Sequence, residues 1–146
     1  MIVKQILAMK TGPGQIVTIR PDATVAEAAR LLSERRIGAV IVSSDGRKAD
    51  GILSERDIVR ELGQSGAEVL DRKVSEMMTR KVSTCVCADD ALAVLERMTQ
   101  GRFRHLPVVD ERGEMLGVVS IGDAVSARLK ELSAEKEALT SMIMGN

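Results

Sequence analysis

Two short segments place a serine and an aspartate three residues apart, where a run of apolar residues meets a helical pattern. The first is Gly51-Ile52-Leu53-Ser54-Glu55-Arg56-Asp57, and the second, 66 positions later, is Gly117-Val118-Val119-Ser120-Ile121-Gly122-Asp123. A hydroxyl and a carboxylate at a helix start lie beside free backbone N–H groups, a common setting for phosphate binding. The same spacing also predicts a capping box, which needs no ligand. The two interpretations are compatible, because a capping serine can also touch a ligand.

Composition limits what such a site could serve. The chain has 146 residues, 45% of them hydrophobic, which is enough for a compact core. Its 21 basic and 21 acidic residues balance, so no net field attracts nucleic acid or an anionic membrane, and with no Trp or Tyr almost nothing can stack on bases. No apolar run reaches the roughly 18–20 residues of a membrane span, and no signal-peptide pattern opens the chain. We therefore expect a cytoplasmic protein without nucleic acid or membrane partners.

The elements that hold the two segments in place are duplicated. In the first copy, residues 16–19 predict a strand, 25–35 an amphipathic helix, 37–42 and 51–53 two strands, and 55–62 a second helix. A constant offset of 66 aligns a second copy without a gap, which predicts two similar units. The predicted organisation is an amphipathic lead-in over 1–15, repeat 1 over 16–63, a linker over 64–81, repeat 2 over 82–128 and a C-terminal helical extension over 129–146. The helical pattern of the lead-in ends at Thr11-Gly12-Pro13-Gly14. Residues 74–78 of the linker echo the lead-in.

Cys85 and Cys87 lie two residues apart, a spacing that points both side chains to one face of a strand. A disulfide between them is not expected. Two cysteines without a histidine cluster are too few ligands for zinc, so no metal site is predicted. Free cysteines are among the most buried residue types, and we expect small buried hydrophobes here rather than a redox pair.

The pattern stays helical beyond Asp123, with apolar residues at alternating steps of four and three. These residues are Val125, Leu129, Leu132, Leu139 and Ile143, with Lys136 interrupting the series. Heptad spacing is typical of a helix that pairs with a second subunit, which favours a homodimer. The alternative is a helix that lies back on its own domain.

The sequence does not contain the residue motifs that a catalytic interpretation would need. His105 is the only histidine, and neither a Gly-x-Ser-x-Gly motif nor a Gly-x-x-x-x-Gly-Lys phosphate loop is present. Acid–base, nucleophilic and metal-dependent routes therefore have no constellation of residues to support them. We expect no enzyme activity and no required cofactor.

The duplicated unit, both Ser-x-x-Asp segments and Arg104-His105-Leu106-Pro107-Val108-Val109 together resemble a tandem pair of cystathionine β-synthase (CBS) domains. The resemblance covers about residues 3–128 and is closest to small stand-alone bacterial CBS pairs. It extends to the regulatory insert of inosine monophosphate dehydrogenase. It implies an α/β fold with two repeats, each strand-helix-strand-strand-helix, packed sheet to sheet with pseudo-two-fold symmetry and followed by a C-terminal helix. It also implies disc-like dimers with an adenine nucleotide between the repeats.

The resemblance assigns site residues from both repeats, and their chemistry suits a nucleotide. Asp123 can accept hydrogen bonds from ribose hydroxyls, while Ser120 and the N–H groups of the following helix face the phosphate. The predicted site consists of Thr18, Ala23, Ser43, Ser44, Arg104, His105, Val118, Ser120 and Asp123. A predicted second cleft consists of Ile52, Ser54, Arg56, Asp57, Thr84 and Val109. The base would lie between aliphatic side chains.

The two predicted clefts are not equally equipped. Arg104 and His105 offer two phosphate donors beside the Ser120 segment. Asp89 would repel a phosphate in the other cleft, a cost that Arg56 offsets in part, so the Ser54 cleft is expected to bind more weakly. For His105 the alternative is a satisfied packing residue at a strand edge.

The predicted function is that of a regulatory or sensor module. It would bind AMP, ATP or NADH and report the nucleotide or redox state to an unknown partner. The alternative is a ligand-free adaptor whose apolar clefts and terminal helix dock another protein.

Overall fold

The computed structural model describes residues 1–10 and 16–145 and has a mixed α/β fold with a long C-terminal helix, as predicted. The predicted end of the lead-in at residues 11–14 lies outside the described residues. The elements in chain order are α1 (Val3–Met9), β1 (Thr18–Ile19), α2 (Val25–Arg35), β2 (Ala39–Val42), β3 (Gly51–Ser54), α3 (Glu55–Ser65), a 3-10 helix (Ala67–Asp71), α4 (Val74–Met77), α5 (Ala91–Gly101), β4 (His105–Val109), β5 (Met115–Ser120) and α6 (Ile121–Ile143).

The two sequence copies contain equivalent helices that begin at the same offset. Helices α2 and α5 each have 11 residues, and both their first and their last residues are 66 positions apart. Each ends on an arginine in the left-handed conformation, Arg36 at φ 54° and Arg102 at φ 56°. Helices α3 and α6 begin immediately after β3 and β5, at Glu55 and Ile121. The duplication predicted from the sequence is therefore confirmed.

The sheets of the two copies differ at their first strand. In the first copy β1 is parallel to β2, and β2 is antiparallel to β3. In the second copy β4 and β5 pair, and the expected first strand is reduced to a single parallel bridge between Cys85 and Val108. Pro107 occupies the position of Ile41 and has no N–H to donate, which removes a ladder bond from this pairing.

The compact units of the fold do not coincide with the sequence repeats. One unit, here the α6 unit, contains residues 1–10, 84–110 and 117–145, and the other, the α3 unit, contains 16–83 and 111–116. Helix α1 precedes repeat 1 in the chain but packs in the unit built on repeat 2. Val3 of α1 and Val74 of α4 are both fully buried, each in its own unit.

Each unit has one apolar core. The α6 unit buries Val3, Ile6, Cys85, Ala91, Val94, Met98, Leu106, Val108, Val119, Ala124 and Ala127. The α3 unit buries Val25, Ala28, Leu32, Val40, Val42, Leu53, Ile58 and Val74. The helical residues among them recur at three- and four-residue spacing, as the amphipathic patterns predict.

Equivalent side chains cover the glycine that precedes each Ser-x-x-Asp segment. A Cβ on Gly117 would lie 2.9 Å from Leu7 Cδ2, and a Cβ on Gly51 would lie 2.5 Å from Met78 Sδ. Leu7 and Met78 are 71 positions apart, as are Val3 and Val74. This equivalence agrees with the predicted echo of the lead-in at residues 74–78.

Candidate functional site

The Ser120–Asp123 segment forms the capping box that its spacing predicts. The N–H of Asp123 donates to Ser120 Oγ at 3.1 Å, and the N–H of Ser120 donates to Asp123 Oδ2 at 2.9 Å. These bonds fix the carboxylate at the first turn of α6, where the positive end of the helix dipole favours an anion. The geometry therefore holds a preorganised acceptor at this helix start.

Lys10, at the end of α1, reaches the same carboxylate. Its Nζ lies 3.0 Å from Asp123 Oδ2 and donates to the Val118 carbonyl oxygen at 2.7 Å. The side chain of Lys10 is 42% exposed, whereas that of Asp123 is 23% exposed. The sequence did not place Lys10 in the site, because this residue belongs to the predicted lead-in and lies outside both repeats.

Asp123 is ionised at neutral pH. Burial acts to raise the pKa of Asp123, but hydrogen bonds from the Ser120 N–H and the Lys10 ammonium outweigh it and hold the pKa below its usual value. The carboxylate is therefore a pure hydrogen-bond acceptor, which is what a pair of ribose hydroxyls requires.

A pocket of about 270 Å³ lies beside this carboxylate, between α1 and α6. Its polar lining consists of Lys10, Asp123, Ser126 and Lys130. Met1 also lines the pocket. Two lysines thus line one pocket together with the carboxylate of the predicted site.

The backbone of Arg104 lies at the same helix start. The N–H of Ile121 donates to the Arg104 carbonyl at 2.8 Å, which brings β4 to the first residue of α6. The Arg104 side chain is exposed, and His105, the first residue of β4, is partly buried. The structure therefore brings Arg104, Val118, Ser120 and Asp123 together within the α6 unit.

The equivalent segment in the α3 unit has the same cap and a different cation. The N–H and the hydroxyl of Ser54 both donate to Asp57 Oδ2 at 2.9 Å. Asp57 Oδ1 accepts from Arg60 Nη2 at 3.0 Å, one turn along the same helix. Arg56, the predicted phosphate donor of the second cleft, is exposed.

Four residues of the predicted site belong to the α3 unit. Thr18 in β1 and Ala23 before α2 are both partly buried. Ser43 is 3% exposed, and its hydroxyl donates to the Lys48 carbonyl at 2.5 Å, within the loop between β2 and β3. Ser44 is exposed. The Ser43 hydroxyl therefore holds its own loop, a role that the sequence did not indicate.

Two residues of the predicted second cleft, Thr84 and Val109, belong to the α6 unit. The Thr84 carbonyl accepts from Arg97 Nη1 at 2.8 Å. The same guanidinium lies 3.5 Å from the Asp89 carboxylate, which also accepts from the Val86 N–H at 2.9 Å. Asp89, which was expected to repel a phosphate, is thus partly neutralised inside its own unit.

Val109 and Ile52, which also belong to the predicted second cleft, form backbone hydrogen bonds within their own units. The Val109 N–H donates to the Cys85 carbonyl at 2.9 Å. Ile52 exchanges backbone hydrogen bonds with Thr79 at 2.9 and 3.0 Å. The main chain of Ile52 therefore pairs with the segment that follows α4.

Both cysteines are free thiols, and they differ in burial. Cys85 is 2% exposed, and burial, with a smaller contribution from Asp89, raises its pKa to about 11. Cys87 is partly buried. The prediction of a small buried hydrophobe is confirmed for Cys85. Across residues 1–10 and 16–145, no group of three or more His, Cys, Asp or Glu side chains could hold a metal ion.

In the described part of the chain, no helix has the length and apolar character needed to cross a membrane.

Residues 3–64 and 74–130 both match the family model for the CBS domain. The chain therefore belongs to the CBS domain family. With two matches along the chain, it is a tandem CBS pair.

Relatives of known sequence are similar along most of this chain. A mitochondrial CBS domain-containing protein of Arabidopsis thaliana is 33% identical over 140 residues, which are 93% of this chain and 68% of that protein. Inosine-5'-monophosphate dehydrogenase of Mycobacterium leprae is 32% identical over 123 residues, which are 82% of this chain and 22% of the enzyme. The predicted resemblance to this enzyme is confirmed.

Solved structures share the fold. A CBS-domain-containing protein of Agrobacterium tumefaciens is 41% identical with a TM-score of 0.81, over 88% of this chain and 99% of that one. A CBS domain protein of Pyrobaculum aerophilum, complexed with AMP, is 27% identical with a TM-score of 0.72, over 84% of this chain and 89% of that one.

Proposed function

We propose that this chain is a regulatory module that binds an adenine nucleotide at the Ser120–Asp123 segment. The observation that carries the proposal is the ionised Asp123 carboxylate, held at the start of α6 by its capping box. The AMP complex of the Pyrobaculum aerophilum relative supports the same class of ligand.

In the proposed complex Asp123 accepts hydrogen bonds from the ribose hydroxyls. Ser120 and the first N–H groups of α6 face the phosphate, and the exposed Arg104 side chain adds a cation. The other proposed contacts are Thr18, Ala23, Ser43, Ser44, His105 and Val118. The segment Ser54–Asp57, together with Ile52, Arg56, Thr84 and Val109, is proposed as the weaker site.

The ligand is tested by mass spectrometry of small molecules that copurify with the chain and by thermal unfolding with AMP, ADP, ATP, NAD and NADH. A ligand at 100 times its dissociation constant should stabilise the fold by about 2.7 kcal/mol. No shift with any of the five would contradict the proposal and favour the ligand-free adaptor. Turnover of one of them would instead indicate an enzyme.

We also propose that α6 pairs with α6 of a second copy of this chain. Every described residue from Leu132 to Gly145 is exposed, so the C-terminal half of the helix does not lie back on its own domain. The heptad positions Leu132 and Leu139 are 45% and 60% exposed. An isolated helix of this length is only marginally stable in water, and a self-complementary apolar stripe favours pairing.

The oligomeric state tests this pairing. Leu132→Glu places a charge on the heptad stripe and should convert a dimer to a monomer in sedimentation experiments. Ala134→Glu adds the same charge on the opposite face of the helix and should leave the dimer intact. A wild-type monomer at micromolar concentration would contradict the pairing. The cytoplasmic location and the regulated partner remain predictions.

A further inference from the structure

We propose that Lys10 competes with the ribose of the nucleotide for Oδ2 of Asp123, so that a hydroxyl that binds this oxygen has to break the Lys10–Asp123 ion pair. The inference rests on the proposed function, because it concerns the same carboxylate. It adds an internal competitor, a residue of the lead-in, to the proposed site.

The geometry shows what the ammonium occupies. Asp123 Oδ2 already accepts from the Ser120 N–H at 2.9 Å, and Lys10 Nζ lies 3.0 Å from the same oxygen. The ammonium also binds the Val118 carbonyl at 2.7 Å. Lys10 therefore contacts two residues of the proposed site, from the side of the pocket between α1 and α6. A hydroxyl that approaches Oδ2 meets an oxygen with two donors in place.

The first Ser-x-x-Asp segment shows that the fold does not require this lysine. Ile52 is equivalent to Val118, and its carbonyl accepts from the backbone N–H of Thr79 at 2.9 Å instead of from an ammonium. Asp57 takes its cation from Arg60, on its own helix. The cap and the strand form in the α3 unit with these other partners, so the segment can be built without a lysine at this position.

The pair is weak enough to be displaced. With 42% of its side chain exposed, Lys10 can move its ammonium into solvent at modest cost. Ion pairs of this exposure stabilise by up to about 1 kcal/mol, which corresponds to a factor of about five in affinity. A site that is closed by such a pair shows an apparent dissociation constant raised by that factor.

Adenosine is the appropriate probe, because it carries the ribose without a phosphate that could attract the displaced ammonium. Its dissociation constant is measured by calorimetry with wild type, Lys10→Met, Lys10→Gln and Lys4→Met. Lys4 lies on the same helix, is exposed, and loses the same charge, so it is the matched control. Both Lys10 variants should bind adenosine about fivefold more tightly, and Lys4→Met should match wild type.

Ionic strength provides a second measurement that a purely structural role would not change. Salt screens the Lys10–Asp123 pair, so wild type should bind the neutral adenosine more tightly at 0.5 M than at 0.05 M salt, while Lys10→Met should show no such gain. Wild type that binds adenosine with an affinity equal to or better than that of both Lys10 variants would overturn the inference alone. Absence of adenosine and nucleotide binding in every variant would overturn the proposed function and the inference with it.

Discussion

The two Ser-x-x-Asp segments have the same backbone and different electrostatic partners. Both form capping boxes at the start of a helix that follows a short strand. Asp57 is paired with Arg60, three residues away, whereas Asp123 is paired with Lys10 at the other end of the chain. A local pair is formed wherever the helix forms, while a long-range pair exists only when α1 is docked. The comparison shows that both copies keep the cap, whereas the cation that pairs with its aspartate differs between them.

The lead-in segments explain how this difference arose. α1 and the segment ending at Met78 cover equivalent glycines in the two units. After Met78 the chain pairs with Ile52 through Thr79, which satisfies the strand carbonyl by a backbone bond. After α1 the carbonyl of Val118 is satisfied by the side chain of Lys10. One difference in local pairing thus places an ammonium at one carboxylate and not at the other.

The strongest test of the comparison is the paired removal of the two carboxylates. Asp123→Ala should weaken adenine nucleotide binding at the better site by about 30-fold, because a charged hydrogen-bond acceptor is worth about 2 kcal/mol. Asp57→Ala removes the same cap from the other unit and should leave that affinity unchanged. Calorimetric titration of both variants measures the difference.

Loss of the cap is the main confounding effect, at about 1 kcal/mol of stability in each variant. Asp123→Asn keeps an oxygen at the cap and removes the charge, so it should bind weakly while unfolding close to wild type. Undiminished affinity in both Asp123 variants would contradict the site assignment.

The covering side chains can be compared by adding one methyl group to each glycine. Gly51→Ala should destabilise the fold by about 1–2 kcal/mol, because its Cβ would lie 3.0 Å from the rigid Thr79 carbonyl as well as against Met78. Gly117→Ala meets only the flexible end of Leu7 and should cost less. Urea unfolding followed by circular dichroism gives both values. Equal losses would indicate that the two lead-ins are held with equal rigidity.

The smallest expected effect is the pH dependence of the long-range pair. The folded-state pKa of Asp123 lies below its usual value, so the pair contributes fully above about pH 4 and is lost as the pH falls through the lowered pKa. Lys10→Met should therefore unfold with up to about 1 kcal/mol less free energy at pH 7, and this deficit should shrink as the pH falls below about 4. A deficit that is constant over this range would show that the lysine acts through packing alone.

The sequence predicted the repeated elements well, because hydrophobic periodicity and the residues that form turns and helix caps are local signals. The apolar spacing of α2 and α5 and the strand-to-helix segments at Ser54 and Ser120 all appear in the structure at the predicted offset. The apolar pattern did not predict that Pro107 would reduce the first strand of the second copy to one bridge between Cys85 and Val108. The cause, the missing N–H of proline, is nevertheless present in the sequence. Strand propensity describes a single segment, and it does not indicate whether the neighbouring strand has a backbone N–H to donate.

Two features of the site were not predictable from periodicity. The hydroxyl of Ser43 is used by its own loop, and Lys10 reaches a carboxylate 113 positions away. Neither contact leaves a repeating pattern in the chain. A weaker signal did exist, since the 71-residue echo that relates Leu7 to Met78 places α1 over the strand that leads into Ser120.

The assignment of α1 to the unit built on the second repeat has a consequence for biosynthesis. Most of the α3 unit is one continuous stretch, residues 16–83, and can begin to fold while the chain is still being made. Helix α1 is translated before this stretch, but Val119, Ala124 and Ala127, which share its core, are translated after it. Val3 and Ile6 therefore wait for their partners while the whole stretch is made. A ribosome that stalls before Val119 should for this reason leave α1 without its core, although residues 16–83 are already complete.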